Sequence, residues 1–267
     1  MTTQTQFTRE RAGTDAEASL REFCSLLRSV EHPDATAVGT WTIRDVAAHL
    51  NRNFEPYIDM LRGAGSPVLS IDDIAAFNDA MIATAEATSV VDLAAALESK
   101  IPEFAAAVDD AGPDPLGWHA GIRLPVETFC ALMIGEALVH GYDIARADNK
   151  PWHIDPAAVR TAFVGLLPLL PYYVDEKAAA GFRARIELTL RGEEEATAFL
   201  AFDDGRLAIE RDARGPIDCH ISADPVAFML VSYGRIGPVA PALTGKMVAW
   251  GRKPWLGFKV PKLLKSP

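Results

Sequence analysis

The sequence predicts an α+β chain built in two parts, a helical bundle over residues 1–150 and a smaller α+β domain over residues 155–267. Three observations predict it. Between residues 15 and 147, apolar side chains recur at mixed spacings of three and four, the period of half-buried helices. After the linker-like stretch Asn149-Lys-Pro-Trp-His-Ile-Asp155 the period changes to two, the mark of half-buried strands. With 267 residues, 49% of them hydrophobic, the chain has enough apolar surface for one large or two ordinary domains.

Five helical stretches follow in order in the first part. The first spans about Asp15 to Val30, with Leu20, Phe23, Leu26 and Leu27 on one side. The second opens at Thr42, where Thr42 as N-cap and Asp45 at N3 form a capping box, and carries Ile43, Val46, Leu50, Phe54, Tyr57 and Leu61. A Gly/Ser/Pro loop from Gly63 to Ser70 ends it. The third spans about Asp72 to Ala87, and the fourth starts near Ser89 with Leu93, Leu97, Ile101, Phe104 and Val108 as its apolar stripe. A Gly/Pro-rich loop from Asp109 to Leu124 is longer than a bundle connection needs, and such loops line site mouths or run as slack surface. The fifth helix spans about Pro125 to Ala147, with Pro125 suited to its first turn.

In the second part a helix from Pro156 to about Val174 comes first. Strand-like segments follow at Phe182–Leu190, Ala196–Phe202, Arg206–Arg211 and Ile217–Ile221, and Asp203-Asp-Gly205 reads as a hairpin turn. Asp224 then caps a helix with Pro225 in its first turn.

The most informative pair is Glu136 and His140. Four residues apart on the fifth helix, they share one face, with Cβ atoms roughly 5–6 Å apart. That face also bears Phe129, Met133, Ala137 and Ile144. A carboxylate in an apolar stripe is costly unless it is paired or binds a metal. A third ligand is available in His49, at the edge of the stripe on the second helix. Two imidazoles and one carboxylate with open positions form a catalytic zinc pattern that also suits iron or nickel, and a metal-free hydrogen-bonded cluster is the alternative.

Composition narrows the function further. The net charge of −10 and pI near 5.1 argue against nucleic acid as a partner, which needs a basic surface. Cys24, Cys130 and Cys219 are odd in number and form no C-x-x-C pair, so they read as buried hydrophobes in a reducing compartment. The polar N-terminus has no apolar signal-peptide core, and the longest apolar run, Ala162 to Val174, is too short to span a bilayer. A cytoplasmic protein without a transmembrane segment is expected. His32, His119, His153 and His220 read as satisfied structural residues, and Trp41, Trp250 and Trp255 as core or interdomain filling. The tail holds Lys246, Arg252, Lys253, Lys259, Lys262 and Lys265 interleaved with aromatic and aliphatic residues, a packed segment with solvated charges or an anionic contact surface.

Trp41-Thr-Ile-Arg-Asp-Val-Ala-Ala-His49, followed some ninety residues later by Glu136-x-x-x-His140-Gly-x-Asp143, resembles the mycothiol-dependent maleylpyruvate isomerase family. The resemblance implies an N-terminal DinB-like four-helix bundle and a C-terminal sterol-carrier-like α+β domain. It implies that His49, Glu136 and His140 bind a divalent metal, usually zinc, and that Asp143 orients a ligand from behind. It also implies that Arg235, in Tyr233-Gly-Arg, stands for the catalytic arginine of the C-terminal domain. The tail from Gly245 to Trp255 departs from the isomerase pattern and leaves the substrate open.

The implied chemistry uses mycothiol as a thiol cosubstrate and a small electrophile as substrate. A free thiol has a pKa near ~8.5, and coordination to a divalent metal deprotonates it. The thiolate adds to an electrophilic carbon. Rotation and elimination then give isomerisation with the thiol returned, whereas retention of the new bond gives S-transfer, and the metal ligands serve both. Two other classes stand beside this one: a lipid or hydrophobic-ligand binding protein with a structural metal, and a metal-dependent hydrolase using metal-bound water.

Overall fold

The computed structural model describes residues 7–83 and 88–265. It is an N-terminal helical bundle followed by a C-terminal α+β sheet domain, the fold class expected from the sequence. The described chain divides into two compact units, Thr8–Ile154 and the chain from Asp155 onward.

In the first unit α1 (Arg9–Arg28) leads through a short hairpin, β1 (Thr36–Val38) and β2 (Trp41–Thr42), into α2 (Ile43–Leu61). Then follow α3 (Ile74–Ala83), α4 (Val90–Asp110), a second small hairpin, β3 (Leu116–Gly117) and β4 (Arg123–Leu124), and α5 (Val126–Ala147). The four long helices close a ring: α1 packs on α4 and α5, and α2 packs on the same two. Their apolar faces bury Leu20, Phe23, Leu27, Leu97, Ile101 and Phe129, with Phe54 of α2 stacked on Phe104 of α4 at 5.2 Å.

Side-chain caps set where three of these helices begin. Thr8 accepts from the Arg11 amide, Ser89 accepts from the Asp92 amide, and Thr42 and Asp45 cap reciprocally as expected. Each such cap is worth about 1 kcal/mol. Helix α5 departs from expectation at its start. Pro125 is the N-cap residue, with extended φ/ψ of −58° and 152°, so the helix begins one residue later. The third helix begins later than expected: a 3₁₀ turn spans Ile71–Asp73 and α3 begins at Ile74, and positions 84–87 of the expected helix lie outside the described residues. The long loop after α4 is not slack surface, because it contains the β3–β4 hairpin with His119 buried at its turn.

The C-terminal end of α5 is tied to the α1–β1 connection. The buried Asp148 carboxylate accepts from the Glu31 amide (3.0 Å) and the His32 amide (2.8 Å) and pairs with His32 Nδ1 (2.9 Å). Burial pushes its pKa up, but the two backbone amides and His32 outweigh this and hold it below the usual carboxylate range. The stretch after it is likewise no free linker. The Trp152 indole donates to the Leu138 carbonyl (3.1 Å) and packs against Gly141, where a Cβ would come within 2.2 Å of the ring.

The second unit opens with α6 (Pro156–Leu166), capped by Asp155. The expected helix to Val174 breaks early because Pro168 has no amide hydrogen to continue the ladder and its ring crowds the preceding turn, although Leu167 before it keeps helical geometry, and the chain goes on as a 3₁₀ turn over Leu170–Tyr173. Strands β5 (Arg183–Leu190), β6 (Ala196–Asp203), β7 (Arg206–Glu210) and β8 (Cys219–Ala223), the last two residues later than expected, are followed by α7 (Pro225–Ser232). Helix α8 (Val239–Leu243), strand β9 (Met247–Trp250) and α9 (Leu256–Lys259) follow, then a 3₁₀ turn over Val260–Leu263 and an antiparallel bridge between Leu264 and Val174. The sheet order is β7-β6-β5-β8-β9, antiparallel throughout except for the parallel β5–β8 pair. The Asp203-Asp-Gly205 turn forms as a two-residue hairpin, with Asp204 and Gly205 at φ of 48° and 83°, both left-handed as that turn requires.

The tail contributes the edge strand β9, an element not foreseen in the sequence, and it contradicts one expectation. Trp250 and Trp255, expected as filling, are 48% and 61% exposed, because strand alternation and a helix start turn them outward. No helix among the described residues is long and apolar enough to cross a membrane.

Gly141→Ala should lower the melting temperature through an overpacking cost of about 1–3 kcal/mol, measured by thermal denaturation, while Gly39→Ala, where no side chain is near, loses only turn geometry. The depressed Asp148 pKa contributes stability that is complete above the unfolded carboxylate pKa of about 3.9 and is lost as pH falls through the lower folded value. Asp148→Asn should therefore flatten the acid limb of the stability–pH curve in chemical denaturation.

Candidate metal centre

Helix α2 delivers His49 and helix α5 delivers Glu136 and His140, and the packing of α2 on α5 brings the three together. The capping box at Thr42 sets the phase of α2, so that His49, two turns on, faces inward with Val46 and Asn53. His49 Nε2 lies 3.2 Å from Glu136 Oε2, and His140 Nε2 lies 3.3 Å from the same oxygen. One ligand atom from each of the three residues falls within 4.8 Å of the others. The side chains of His49, His140 and Glu136 are 5%, 12% and 32% exposed, so the carboxylate is the open side of the cluster.

The geometry fits a small divalent ion. Ligands at roughly 2.0–2.2 Å from tetrahedral zinc stand about 3.3–3.5 Å from one another, close to the two nitrogen–oxygen separations seen here. The donor set, two imidazoles and a carboxylate, suits zinc, iron or nickel. The three cysteine thiols take no part. All are buried, and burial pushes Cys24 up to about 11 and Cys130 up to about 12, which keeps them protonated and inert.

Each imidazole is held from behind. Asp143, 1% exposed, places Oδ2 3.3 Å from His140 Nδ1. Asn53, one turn after His49 on α2, places its amide nitrogen 3.2 Å from His49 Nδ1 and 3.3 Å from Asn78 Oδ1 on α3. Trp41 packs beside the His49 ring at 5.0 Å, and its indole donates to Asp79 of α3 (3.0 Å). The rings of His49 and His140 meet nearly edge to face at 5.3 Å.

Electrostatics follow from this packing. Burial raises the Glu136 pKa, but hydrogen bonds and charge from His140 and His49 outweigh it and hold the carboxyl well below its ordinary range. Burial lowers the His140 pKa, yet Asp143 and Glu136 together push it up to about 9. A ring so stabilised as a cation, beside a carboxylate so stabilised as an anion, is a site where a divalent cation could take the place of the imidazole protons.

The sequence reading pointed to His49, Glu136, His140 and Asp143, and the structure brings these four together. Arg235 lies in the second unit, where its guanidinium donates to the Tyr233 carbonyl (2.7 Å). Sequence reasoning missed Asn53, Asn78, Trp41 and Asp79. Asn53 carried a usable signal, a polar residue four positions after His49. The two α3 residues carried none. His119, read as structural, is 7% exposed and shares a hydrogen bond with Ser66 Oγ. Its ring sits edge-on to Tyr57, which itself meets Phe129, so the β3–β4 hairpin closes the α2–α5 face two turns beyond the cluster. Burial lowers its pKa to about 4.

Residues 14–145 match the family model described as the mycothiol maleylpyruvate isomerase N-terminal domain, and residues 169–251 match the SCP-2 sterol transfer family. Among solved structures, the chain is similar to the mycothiol-dependent maleylpyruvate isomerase, at 14% identity and a TM-score of 0.59, over 92% of this chain and 95% of that one. A histidine-to-alanine mutant of that isomerase matches with the same identity, coverage and TM-score. At this identity the likeness is one of fold. No curated protein sequence matches.

His140→Ala should abolish stoichiometric zinc uptake, measured by elemental analysis of the purified protein, while far-ultraviolet circular dichroism stays that of the bundle. For His119, stability should fall between about pH 6.5 and about pH 4, because the unfolded chain binds a proton there and the buried ring does not. Urea titrations of wild type and His119→Gln across that range should converge as the pH drops.

Proposed function

We propose, from a chain that carries the N-terminal domain and the fold of the mycothiol-dependent maleylpyruvate isomerase family, that this protein is a metal-dependent, mycothiol-using S-transferase or isomerase. Its substrate is a small electrophile. The observation that carries the reading is the cluster of His49, Glu136 and His140, with one shared carboxylate oxygen between two imidazoles. These three are its metal ligands in this reading, with zinc as the metal. The bound metal supplies Lewis acidity that deprotonates the thiol of the cosubstrate near neutral pH.

The chain's own residues do the rest. Glu136 brings a full negative charge that two neutral imidazoles lack, and its exposed side leaves room for a thiol and an electrophile. Asp143 accepts from His140 Nδ1, which fixes the tautomer that presents Nε2 to the site. Asn53 does the corresponding work at His49 Nδ1, where ligation through Nε2 requires the amide to present its oxygen. Arg235 is assigned the clamping of an anionic group on the substrate, as the bidentate geometry of guanidinium suits.

A second reading has its own observation. Residues 169–251 match a sterol transfer family, which supports carriage of a hydrophobic ligand by the second unit with a structural metal in the first. Fatty acid or sterol recovered in a solvent extract of the purified protein would favour it.

Calorimetric titration of mycothiol into zinc-loaded protein should show binding that His140→Ala eliminates. Heat from the mutant equal to that of wild type, or none from fully metallated wild type, would remove the thiol reading. Asn53→Ala should weaken zinc affinity about 10–100-fold in chelator competition, the usual cost of losing a hydrogen bond behind a ligand histidine.

A further inference from the structure

After Asp224 the chain holds Arg235, Lys246, Arg252, Lys253, Lys259, Lys262 and Lys265 and no acidic residue, in a protein whose net charge is −10. The same stretch exposes apolar side chains. Of nine large hydrophobic residues exposed among the described residues, six lie between positions 239 and 258: Val239, Leu243, Val248, Trp250, Trp255 and Phe258. Leu243 is 84% and Trp255 61% exposed. A soluble surface scatters such residues singly, so their concentration in one cationic segment calls for a partner.

The segment's geometry is that of an edge. Strand β9 ends the sheet, pairing only with β8. Alternation turns Val248 and Trp250 to one face, where the Trp250 ring stacks on His220 at 5.4 Å. Ala249 points to the other face and meets α9, since a Cβ on Gly257 would lie 2.9 Å from the Ala249 Cβ. Trp255 and Phe258 are exposed on α9. The apolar side chains therefore flank the sheet edge from both faces, with Lys246, Arg252, Lys259 and Lys262 exposed among them.

We infer that this edge, β9 with α8 and α9, is a docking surface for an anionic lipid bilayer. Indole rings prefer the headgroup boundary, aliphatic and phenyl side chains enter the acyl layer, and lysine stems run along apolar surface while their ammonium groups reach lipid phosphates. Charge selects this occupant over the others. A second copy docked edge to edge would bring the same cations against these and repel. Exposed Leu243, Val239 and Val248 offer nothing to the phosphates of a nucleic acid but gain by leaving water for lipid. The inference does not depend on the metal centre.

The test uses the full zinc-loaded chain with vesicles of mixed phosphatidylglycerol and phosphatidylcholine, and with vesicles of phosphatidylcholine alone. Co-sedimentation with the anionic vesicles, a blue shift of tryptophan emission and weakening by salt are expected. Lys246→Glu with Lys262→Glu should cut partitioning at least about fivefold for each charge changed. Trp255→Ser with Phe258→Ser should weaken vesicle binding and diminish the blue shift, with circular dichroism unchanged. Leu69→Ser, an exposed residue of the first unit, should leave binding as in wild type. No binding to anionic vesicles overturns the proposal, as does binding that the paired variants leave intact or that Leu69→Ser reduces equally. Self-association in light scattering, or retention of polyanionic nucleic acid in place of vesicles, lost in the same variants, assigns the edge to those partners instead.

Discussion

Everything at the candidate centre depends on one constraint: a carboxylate placed on the apolar side of α5 must find compensation. Glu136 finds it in two imidazoles that share a single oxygen, at 3.2 and 3.3 Å. An ionised carboxylate without such partners would cost several kcal/mol in this position. The requirement dictates that α2 lie against α5 with His49 inward, and it makes the bundle's geometry at this point inseparable from its chemistry.

The rest of the first unit serves that contact. Capping at Thr42 sets the phase of α2, and packing of α1 and α4 on the outer faces of the pair holds the two helices in place. The Asp148 clamp fastens the end of α5, and Trp152 lying on Gly141 explains why a glycine follows His140: any side chain there would meet the ring. Backing of the imidazoles is unequal in kind. Asp143 is a neighbour on the same helix, whereas Asn53 is itself steadied by Asn78 from α3, a helix with no buried residue. The His49 side is thus joined to the loosely packed element of the unit, and the His140 side to its core.

The second unit is built on a different logic. Its sheet buries one face through Ile186, Leu188, Leu190, Leu200 and Ile221 and leaves the other partly open. The late edge strand β9 carries the concentration of cations and exposed aromatic residues. A protein whose overall charge is acidic thereby presents one cationic, apolar rim, and whole-chain charge describes that rim badly.

Local rules account for what the sequence by itself determined. Period 3.6 and period 2 marked the two parts, caps at Thr42, Ser89 and Asp224 marked helix starts, and the left-handed Asp204-Gly205 pair marked the hairpin, because each depends on neighbours within a few residues. The i,i+4 pair Glu136 and His140 was legible for the same reason, and the apolar stripe around it flagged the carboxylate as unusual. Adding His49 took a pattern shared across two helices. The break after Leu166, the strand β9 and the exposure of Trp250 and Trp255 were not legible. A proline's missing amide hydrogen competes with a strong apolar run, and an aromatic residue reads as core until its strand is known to be an edge. Only the tertiary structure decided that Asn78 and Asp79 of α3 hold Asn53 and Trp41 beside His49. Their roles rest on contacts between α2 and α3 and between Trp41 and α3, more than twenty residues apart in sequence, and no local propensity encodes which distant side chain completes a hydrogen bond.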